Sequence, residues 1–486
     1  MPTLKQKTVT GLFWTFSETL GNQFSGFIVG IILARILSPT DFGLVGMIMV
    51  FVVISQAFVD SGLGSALIQK QDASDEDYST VFIFNILTSL ILYIIIFSVA
   101  GFISDFYEQA VLKDILRVVA TVLIIDSIAL VQRTKLTKDL NFKSLTKISL
   151  SSSLISGIAG IVFAFSGFGV WSLIYKTLIQ HSLNATLYWF STNWFPKLVF
   201  SKSSFKKLFN FSYKLLLSGL IDRIYNNFYV FIIGKIFSPA DLGFYSRASQ
   251  FRDMASKQLT GTLQKVTYPV LSKLQDDNTS LMKAYRKVIV TSIFVTSFTM
   301  AAIFSISEPL IIVLIGEKWR QSIILLQLLC FAGTLYPIHA INLNLLTVKG
   351  RSDLFLRLEI IKKMIGFPVI IGMSFFGIKY MIIAGIGTSF IAFWINTYYT
   401  GQLIDYTGFR QMIDILPSLL LGAGSALLTY LISLTLPDIM WLQLIILSLS
   451  MTVFYILGSI IFKFEEFYEI KNILIGFLPK KFAFQK

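Results

Sequence analysis

Residues 31–44 read IILARILSPTDFGL, and residues 231–244 read FIIGKIFSPADLGF, at a constant offset of 200 positions. Ile32/Ile232, Ile36/Ile236, Ser38/Ser238, Pro39/Pro239, Asp41/Asp241 and Gly43/Gly243 are identical, and Arg35/Lys235 keep their charge. Ser-Pro followed by an acid suits a helix start, because Ser or Asp accepts from free N–H groups and Pro fits the first turn. Any short hairpin would favour such a turn. Six identities at one offset exceed what turn chemistry requires, and they mark an internal repeat.

The composition says what kind of chain is repeated. A soluble protein of 486 residues would carry about 25% charged side chains in roughly three domains. Here 14% are charged and 55% apolar, with 45 Phe, and the mean hydropathy is +0.72. That excludes both a soluble globular protein and a disordered one. A single Cys, Cys330, permits neither an internal disulfide nor a zinc cluster.

A bilayer core of about 30 Å needs about 20 mostly apolar residues per helix. Fourteen runs meet that expectation, near 10–36, 42–68, 79–104, 112–132, 145–166, 168–192, 208–237, 242–270, 285–307, 320–347, 353–376, 379–403, 413–436 and 440–463. The span at 242–270 is the most polar. The polar start, Met1 to Thr10, precedes a run too long for a signal peptide, so no cleaved leader is expected. The fold class expected is an all-α polytopic membrane protein. Six helices separate the two motif copies, so the halves share one orientation and form parallel repeats with a cavity expected between them. The expected organisation is an N-terminal lobe (1–200), a C-terminal lobe (201–405), two extra spans (406–463) and an amphipathic interfacial tail (464–486).

The net charge of +14 suggests nucleic acid until it is placed along the chain. The termini and one set of loops hold 28 Lys and Arg, and the opposite loops about seven. This asymmetry puts both ends in the cytoplasm. It also removes nucleic acid as a partner, since the charge is spread over several loops rather than gathered in one stripe.

Ionisable groups inside spans are expensive and face a cavity or a partner. Trp14, Glu18, Asn22 and Ser25 share one helical face, as do Lys214, Ser218, Asp222, Tyr225 and Tyr229. Arg247, Gln250, Met254, Lys257, Gly261 and Gln264 alternate three and four. The sixth span carries Lys176, Gln180 and Asn184 with His181 beside them, and the second carries Gln56 and Asp60. Each has a plainer explanation. Asp253 and Lys257 could be an i, i+4 ion pair, Asp222 and Arg223 could neutralise neighbours, and Asn22 and Ser25 could be interhelical glue. Taken together the set points to a polar cleft with basic excess. Lys176, Arg223, Arg247, Arg252 and Lys257 suit a phosphate-bearing cargo. Asp60, Glu18 and Asp222 are candidates for a coupling cation, H+ or Na+, and Asp60 leads because it precedes Ser61-Gly62, where a helix would loosen. Asn22, Gln250 and Gln180 are the polar cavity candidates. No GxxxxGK[ST] loop is present for ATP, and neither His lies in a metal-ligand spacing.

The strings LARILSPTDFGLVGM (33–47), DSGLGSALIQKQD (60–72) and DYSTVFIFN (77–85) resemble the Wzx-type oligosaccharide flippases. They are most similar to the colanic-acid-exporter-like transporters of the multidrug/oligosaccharidyl-lipid/polysaccharide exporter superfamily. The resemblance implies two six-helix lobes around a central cavity, alternating access, and drive from an ion gradient without ATP or another cofactor. It implies a cargo of undecaprenyl-diphosphate-linked oligosaccharide, moved from the cytoplasmic to the outer leaflet of the bacterial inner membrane for lipopolysaccharide, capsule or exopolysaccharide assembly. It implies that basic cavity residues meet the diphosphate, with Arg247, Arg252 and Lys257 nearest by position, and that polysaccharide polymerase machinery is a partner.

Two competitors remain. A multidrug/cation antiporter of the same architecture would want an acidic or neutral aromatic cavity, against the excess of Lys and Arg. A membrane polymerase or ligase would want a large outer loop with acid–base pairs, and every connection here is short. The expectation is a non-enzyme. Arg247→Ala or Lys257→Ala should impair export without lowering protein level, as measured by surface polysaccharide and immunoblot; normal export would remove both residues from the site.

Overall fold

The computed structural model describes residues 4–477, except for the side chains of residues 4–9, 12, 258, 259, 262, 263, 265, 266, 473, 474, 476 and 477. Every regular element among the described residues is helical. A buried backbone in hydrocarbon must satisfy its own N–H and C=O groups, and a helix does so within one segment.

The chain divides into two compact units, Met1–Ser246 and Arg247–Lys486. Unit 1 contains α1 (Leu4–Ile36), α2 (Pro39–Asp60), α3 (Leu63–Gln69), α4 (Asp75–Tyr107), α5 (Val111–Val119), α6 (Thr121–Lys138), α7 (Phe142–Phe165), α8 (Val170–Phe190), α9 (Lys202–Asn226) and α10 (Phe228–Ile236). The boundary falls inside α11 (Pro239–Lys273). Unit 2 continues with α12 (Asn278–Ser305), α13 (Ser307–Ile315), α14 (Gln321–Val348), α15 (Ser352–Ser374), α16 (Ile378–Ile404), α17 (Gly408–Ser433), α18 (Met440–Ile461) and α19 (Glu465–Phe477).

The order of elements repeats. Nine-residue α5 runs into α6, and nine-residue α13 precedes α14 after a single 3-10 turn. α7 and α15, then α8 and α16, follow in the same sequence, which leaves α17 and α18 over. The repeats differ in where their helices break. In the first, α2 stops at Asp60 and the chain turns through Ser61 (φ 39°) and Gly62 (φ 70°). In the second, α11 runs unbroken past the equivalent point, and the interruption lies ahead of the motif, at Asn227 between α9 and α10. The loosening expected at Ser61-Gly62 is therefore a left-handed turn.

Nine helical stretches among the described residues have the length and hydropathy to cross a bilayer: α1 from Phe13, α2 with α3, α4, α7, α12, α14, α16, α17 and α18. These match nine of the fourteen expected spans. The other five, 112–132, 168–192, 208–237, 242–270 and 353–376, fall on α5/α6, α8, α9/α10, α11 and α15. Of these, α5/α6 and α9/α10 are interrupted, α11 and α15 carry more charge, and α8 is unbroken but rich in polar side chains, so length and hydropathy alone support nine spans. Large apolar side chains such as Phe102 and Phe190 project outward, which suits contact with lipid.

The motif that defines the repeat makes the same cap twice. The Ser38 Oγ accepts from the Asp41 N–H at 3.2 Å, and the Asp41 carboxylate accepts from the Ser38 N–H at 2.8 Å. Ser238 and Asp241 repeat both bonds, each at 3.2 Å. Pro39 and Pro239 occupy the first helical position, where no N–H is needed. The two copies then meet. A Cβ on Gly43 would stand 1.6 Å from the Pro239 carbonyl oxygen, and one on Gly243 would stand 2.0 Å from that of Pro39. The same patch on each copy contacts the other, which is the geometry of a two-fold contact.

A further cap anchors the stretch 60–85. Ser74 and Asp77 form a third capping box at the head of α4. Asp77 is fully buried and also receives Lys70 Nζ at 2.6 Å and the Ser204 hydroxyl at 2.6 Å. Lys138 Nζ donates to the carbonyls of Leu67 and Lys70, so α3, α4, α6 and α9 are joined around one carboxylate. Of the expected tail, α19 packs on α12 and α18, and Lys287 pairs with its Glu469 at 2.6 Å. Residues 478–486 of that tail lie outside the described residues.

Gly43→Ala and Gly243→Ala should each destabilise the protein by about 3 kcal/mol, because the obstacle is backbone and cannot rotate away. Ser38→Ala should lose about 1 kcal/mol through its cap. Thermal unfolding of the solubilised protein checks the order; glycine variants no worse than Ser38→Ala would refute the close contact.

Candidate functional site

The residues expected at the site divide between the units. In unit 1, Asn22 Nδ2 donates to Ser149 Oγ at 2.7 Å, and Ser25 meets Ser153 at 3.4 Å. This polar face of α1 is thus engaged with α7, and Glu18 sits half-buried on it one turn away. Lys176 and Gln180 are half-buried on α8, where the Lys176 stem lies over Gly160 of α7. Asp222 is exposed on α9.

Arg223 and Asp60, expected to serve different ligands, are brought together. Arg223 Nη2 donates to Asp60 Oδ2 at 2.8 Å, and Nη1 donates to the Val53 carbonyl at 2.8 Å. The pair ties α9 to the last turns of α2, beside the break at Ser61. In this state the aspartate offsets the positive charge of the arginine.

One acid inside an expected span escaped the sequence reading. Asp126 lies on α6 in the run TVLIIDSIAL (121–130), and its Oδ1 is 2.6 Å from His181 Nδ1 on α8. Gln56 Nε2 on α2 donates to Oδ2 at 2.9 Å. His181 and Gln56 stood among the polar span residues, but their partner did not. The available signal was a lone carboxylate within an apolar stretch. At the adjoining Ser127, Ser89 donates at 2.9 Å, while the buried amides of Asn85 and Gln132 find no protein partner.

In unit 2 the candidates lie on α11. Arg247 and Gln250 are half-buried. Asp253 pairs with Lys257 at 2.8 Å, the i, i+4 bridge the spacing allowed, and with Arg252 at 2.5 Å. Two cations against one carboxylate leave the cluster basic. Its position is held by α14, since Ser256 Oγ donates to the Gly333 carbonyl at 2.7 Å and the Arg252 stem packs against Gly333.

Unit 2 also contains a polar chain that the sequence did not single out. His339 meets Ser389 at 2.8 Å and Asn396 at 3.3 Å, and Thr400 donates to Asn342 at 2.6 Å, which in turn donates to Gln411 at 3.2 Å. At its foot, Tyr406 and a two-pronged Arg286 hold Asp414 at 2.6 and 2.7 Å. A cavity of about 550 Å³ opens there, lined by Lys283, Arg286, Lys287, Asp414, Glu466 and Glu469 among others. Burial raises the Glu466 carboxyl above the ordinary carboxylate range. No cluster of His, Cys, Asp and Glu among the described residues could hold a metal ion.

Comparison with known proteins follows from this geometry. A family described as "Polysaccharide biosynthesis protein" matches residues 32–324. The chain is 22% identical over 374 residues to the lipopolysaccharide biosynthesis protein WzxC of Escherichia coli (strain K12), covering 76% of this chain and 75% of that one. It is 24% identical over 338 residues to the succinoglycan biosynthesis transport protein ExoT of Rhizobium meliloti (strain 1021), covering 69% and 68%. Its fold is that of the lipid II flippase MurJ in an inward closed conformation, at a TM-score of 0.75 and 16% identity over 93% of this chain and 98% of that one. The resemblance to Wzx-type transporters, drawn from three short strings, therefore holds over most of the chain.

The Asp60–Arg223 pair should behave as a unit. Reversing either charge alone should lower the thermal stability of the purified protein. The double reversal, Asp60→Arg with Arg223→Asp, should recover most of the loss, with a coupling on the order of 1 kcal/mol. Strict additivity of the two losses would mean that the contact contributes nothing.

Proposed function

We propose, from a chain that belongs to the family of polysaccharide biosynthesis proteins, that it moves a lipid-linked oligosaccharide across the membrane. The observation that carries this is the family match over residues 32–324 in a multi-pass chain of membrane-length helices. A polysaccharide made from lipid-linked units requires a polar sugar and a diphosphate to cross hydrocarbon. Leaving such groups unpaired there costs several kcal/mol each. A protein that supplies polar and basic partners along the way removes that penalty without breaking a covalent bond in the cargo, so the function is transport rather than catalysis.

The finer reading is as follows. The cargo is an undecaprenyl-diphosphate-linked oligosaccharide of the bacterial inner membrane, taken up on the cytoplasmic side, where both termini lie, and handed to polymerase machinery outside. The diphosphate meets Arg247, Arg252 and Lys257 on α11. This is supported by the basic excess there, where one Asp253 serves two cations. Lys176 and Arg223 contribute from unit 1, and for Arg223 this requires release from Asp60. Asn22, Gln180 and Gln250 serve as polar contacts. Asp60, Glu18 and Asp222 are candidate stations for a coupling H+ or Na+ in an alternating-access cycle, with lobes 1–200 and 201–405 and an appended pair, 406–463.

A vesicle assay tests the proposal. Purified protein in liposomes should expose a lipid-diphosphate oligosaccharide to an enzyme or lectin on the far leaflet, and empty liposomes should not. Arg252→Ala with Lys257→Ala should slow exposure at least about tenfold, since each charge-assisted contact to phosphate is worth about 1.5–3 kcal/mol. Equal exposure with and without the protein would refute the function. Equal rates for wild type and variant would remove α11 from the site.

A further inference from the structure

The Asp126–His181 contact joins a carboxylate on α6 to an imidazole on α8. Asp126 lies five residues from the start of α6 and twelve from its end, and His181 lies eleven residues into α8. Both fall within expected spans, 112–132 and 168–192, and ionisable groups within spans are rare and mark functional paths. We propose that Asp126 and His181 form a proton-binding site of unit 1, loaded and emptied in each transport cycle. This deepens the flippase reading, on which its role in coupling rests, by naming H+ as the ion and these residues as its carrier.

The chemistry follows from donors and acceptors. An ionised carboxylate only accepts, so the Nδ1 that approaches Asp126 Oδ1 at 2.6 Å carries hydrogen. The second carboxylate oxygen is held by Gln56 Nε2 at 2.9 Å. His181 Nε2 then keeps a free lone pair in the neutral ring. A proton from water forms an N–H bond there, and the pair passes from a charge of −1 to zero as imidazolium and carboxylate. Release returns the proton to water and restores the lone pair. The two side chains remain about three-tenths exposed, at 28% and 31%, so water can reach them. The same geometry disfavours Na+. A metal ion at this carboxylate would have to displace N–H donors that already point at both oxygens.

Few other charges bear on the pair. Glu18 of α1, Arg133 of α6 and Asp126 each act electrostatically on Tyr188 of α8. Lys176 stands on α8 five residues before His181. α7 carries no titratable side chain after Lys147, α2 none between Asp41 and Asp60, α3 none, and α4 only Tyr93 between Tyr78 and Asp105. α5 carries Lys113, Asp114 and Arg117, and Arg117 is stacked on Phe97.

Two measurements decide the proposal separately from the flippase reading. The chain has two histidines, so nitrogen-15 histidine NMR of the full-length protein in detergent resolves His181 once His181→Gln removes its signal. Asp126→Asn should change the His181 Nδ1 signal, because the carboxylate that accepts its hydrogen is gone. An unchanged signal overturns the pair as a proton site whether or not the protein flips lipid. In proteoliposomes, wild type should expose more lipid-diphosphate oligosaccharide with a pH gradient than without. In Asp126→Asn and His181→Gln that ratio should fall to about one, and Asp126→Glu should restore part of it. A ratio unchanged in the variants, or a wild type that flips lipid but ignores the gradient, overturns the coupling role while leaving the transport reading standing.

Discussion

Two peptide carbonyls and two missing side chains set the closest approach in unit 1. The Pro39 and Pro239 oxygens occupy the space where Cβ atoms would stand on Gly243 and Gly43. Apolar burial drives helices together only weakly in lipid, because the tails are as apolar as Leu, so close backbone approach and interhelical hydrogen bonds carry much of the association. The Ser-Pro-x-Asp-x-Gly motif supplies what the contact needs. Serine and aspartate cap the helix end, proline removes an N–H that would lack a partner, and glycine leaves room for the opposing turn. A motif that meets its own copy is constrained twice by one contact, which accounts for its identity in both repeats at the residues that touch or cap.

Polar groups inside the remaining helices follow the same economy. Asn22 with Ser149, Ser89 with Ser127 and Thr400 with Asn342 satisfy one another across helix pairs. The ionised groups are arranged differently in the two units. In unit 1 they come as one-to-one pairs, Asp60 with Arg223 and Asp126 with His181. On α11 of unit 2, one aspartate serves two cations. Asp60 with Arg223 is close to neutral, whereas the α11 cluster presents net positive charge to an anion.

The fold was largely legible, and the site less so. Hydropathy marked nine spans because long uncharged runs have no other stable home. It singles out the other five less clearly, because helices such as α11 and α15 carry charge within an otherwise suitable length. The repeat was visible at fourteen positions, since only the cap and the close contact restrict residue identity; elsewhere any apolar side chain of suitable size suffices. Periodicity found Asp253 and Lys257, which lie on one helix. It could not show that Arg223 reaches Asp60 163 positions away, nor that His181 has a partner 55 positions away. One-dimensional spacing reports neighbours along a helix and is blind to pairs between helices, which are the pairs that settle a buried charge.

The breaks in the helices carry the last distinction. Each repeat is interrupted on a different side of the shared motif. The first repeat turns after α2 at Ser61-Gly62, directly beside Asp60 and its arginine. The second turns before the motif at Asn227, and α11 then runs on with Arg247, Arg252 and Lys257 on one continuous element. A helix that ends beside an ion pair lets that pair change partners by movement of a short turn. A helix that continues holds its charges at fixed spacing. The two copies of the pattern thus differ in where the backbone turns, beside the Asp60–Arg223 pair in the first and ahead of the motif in the second.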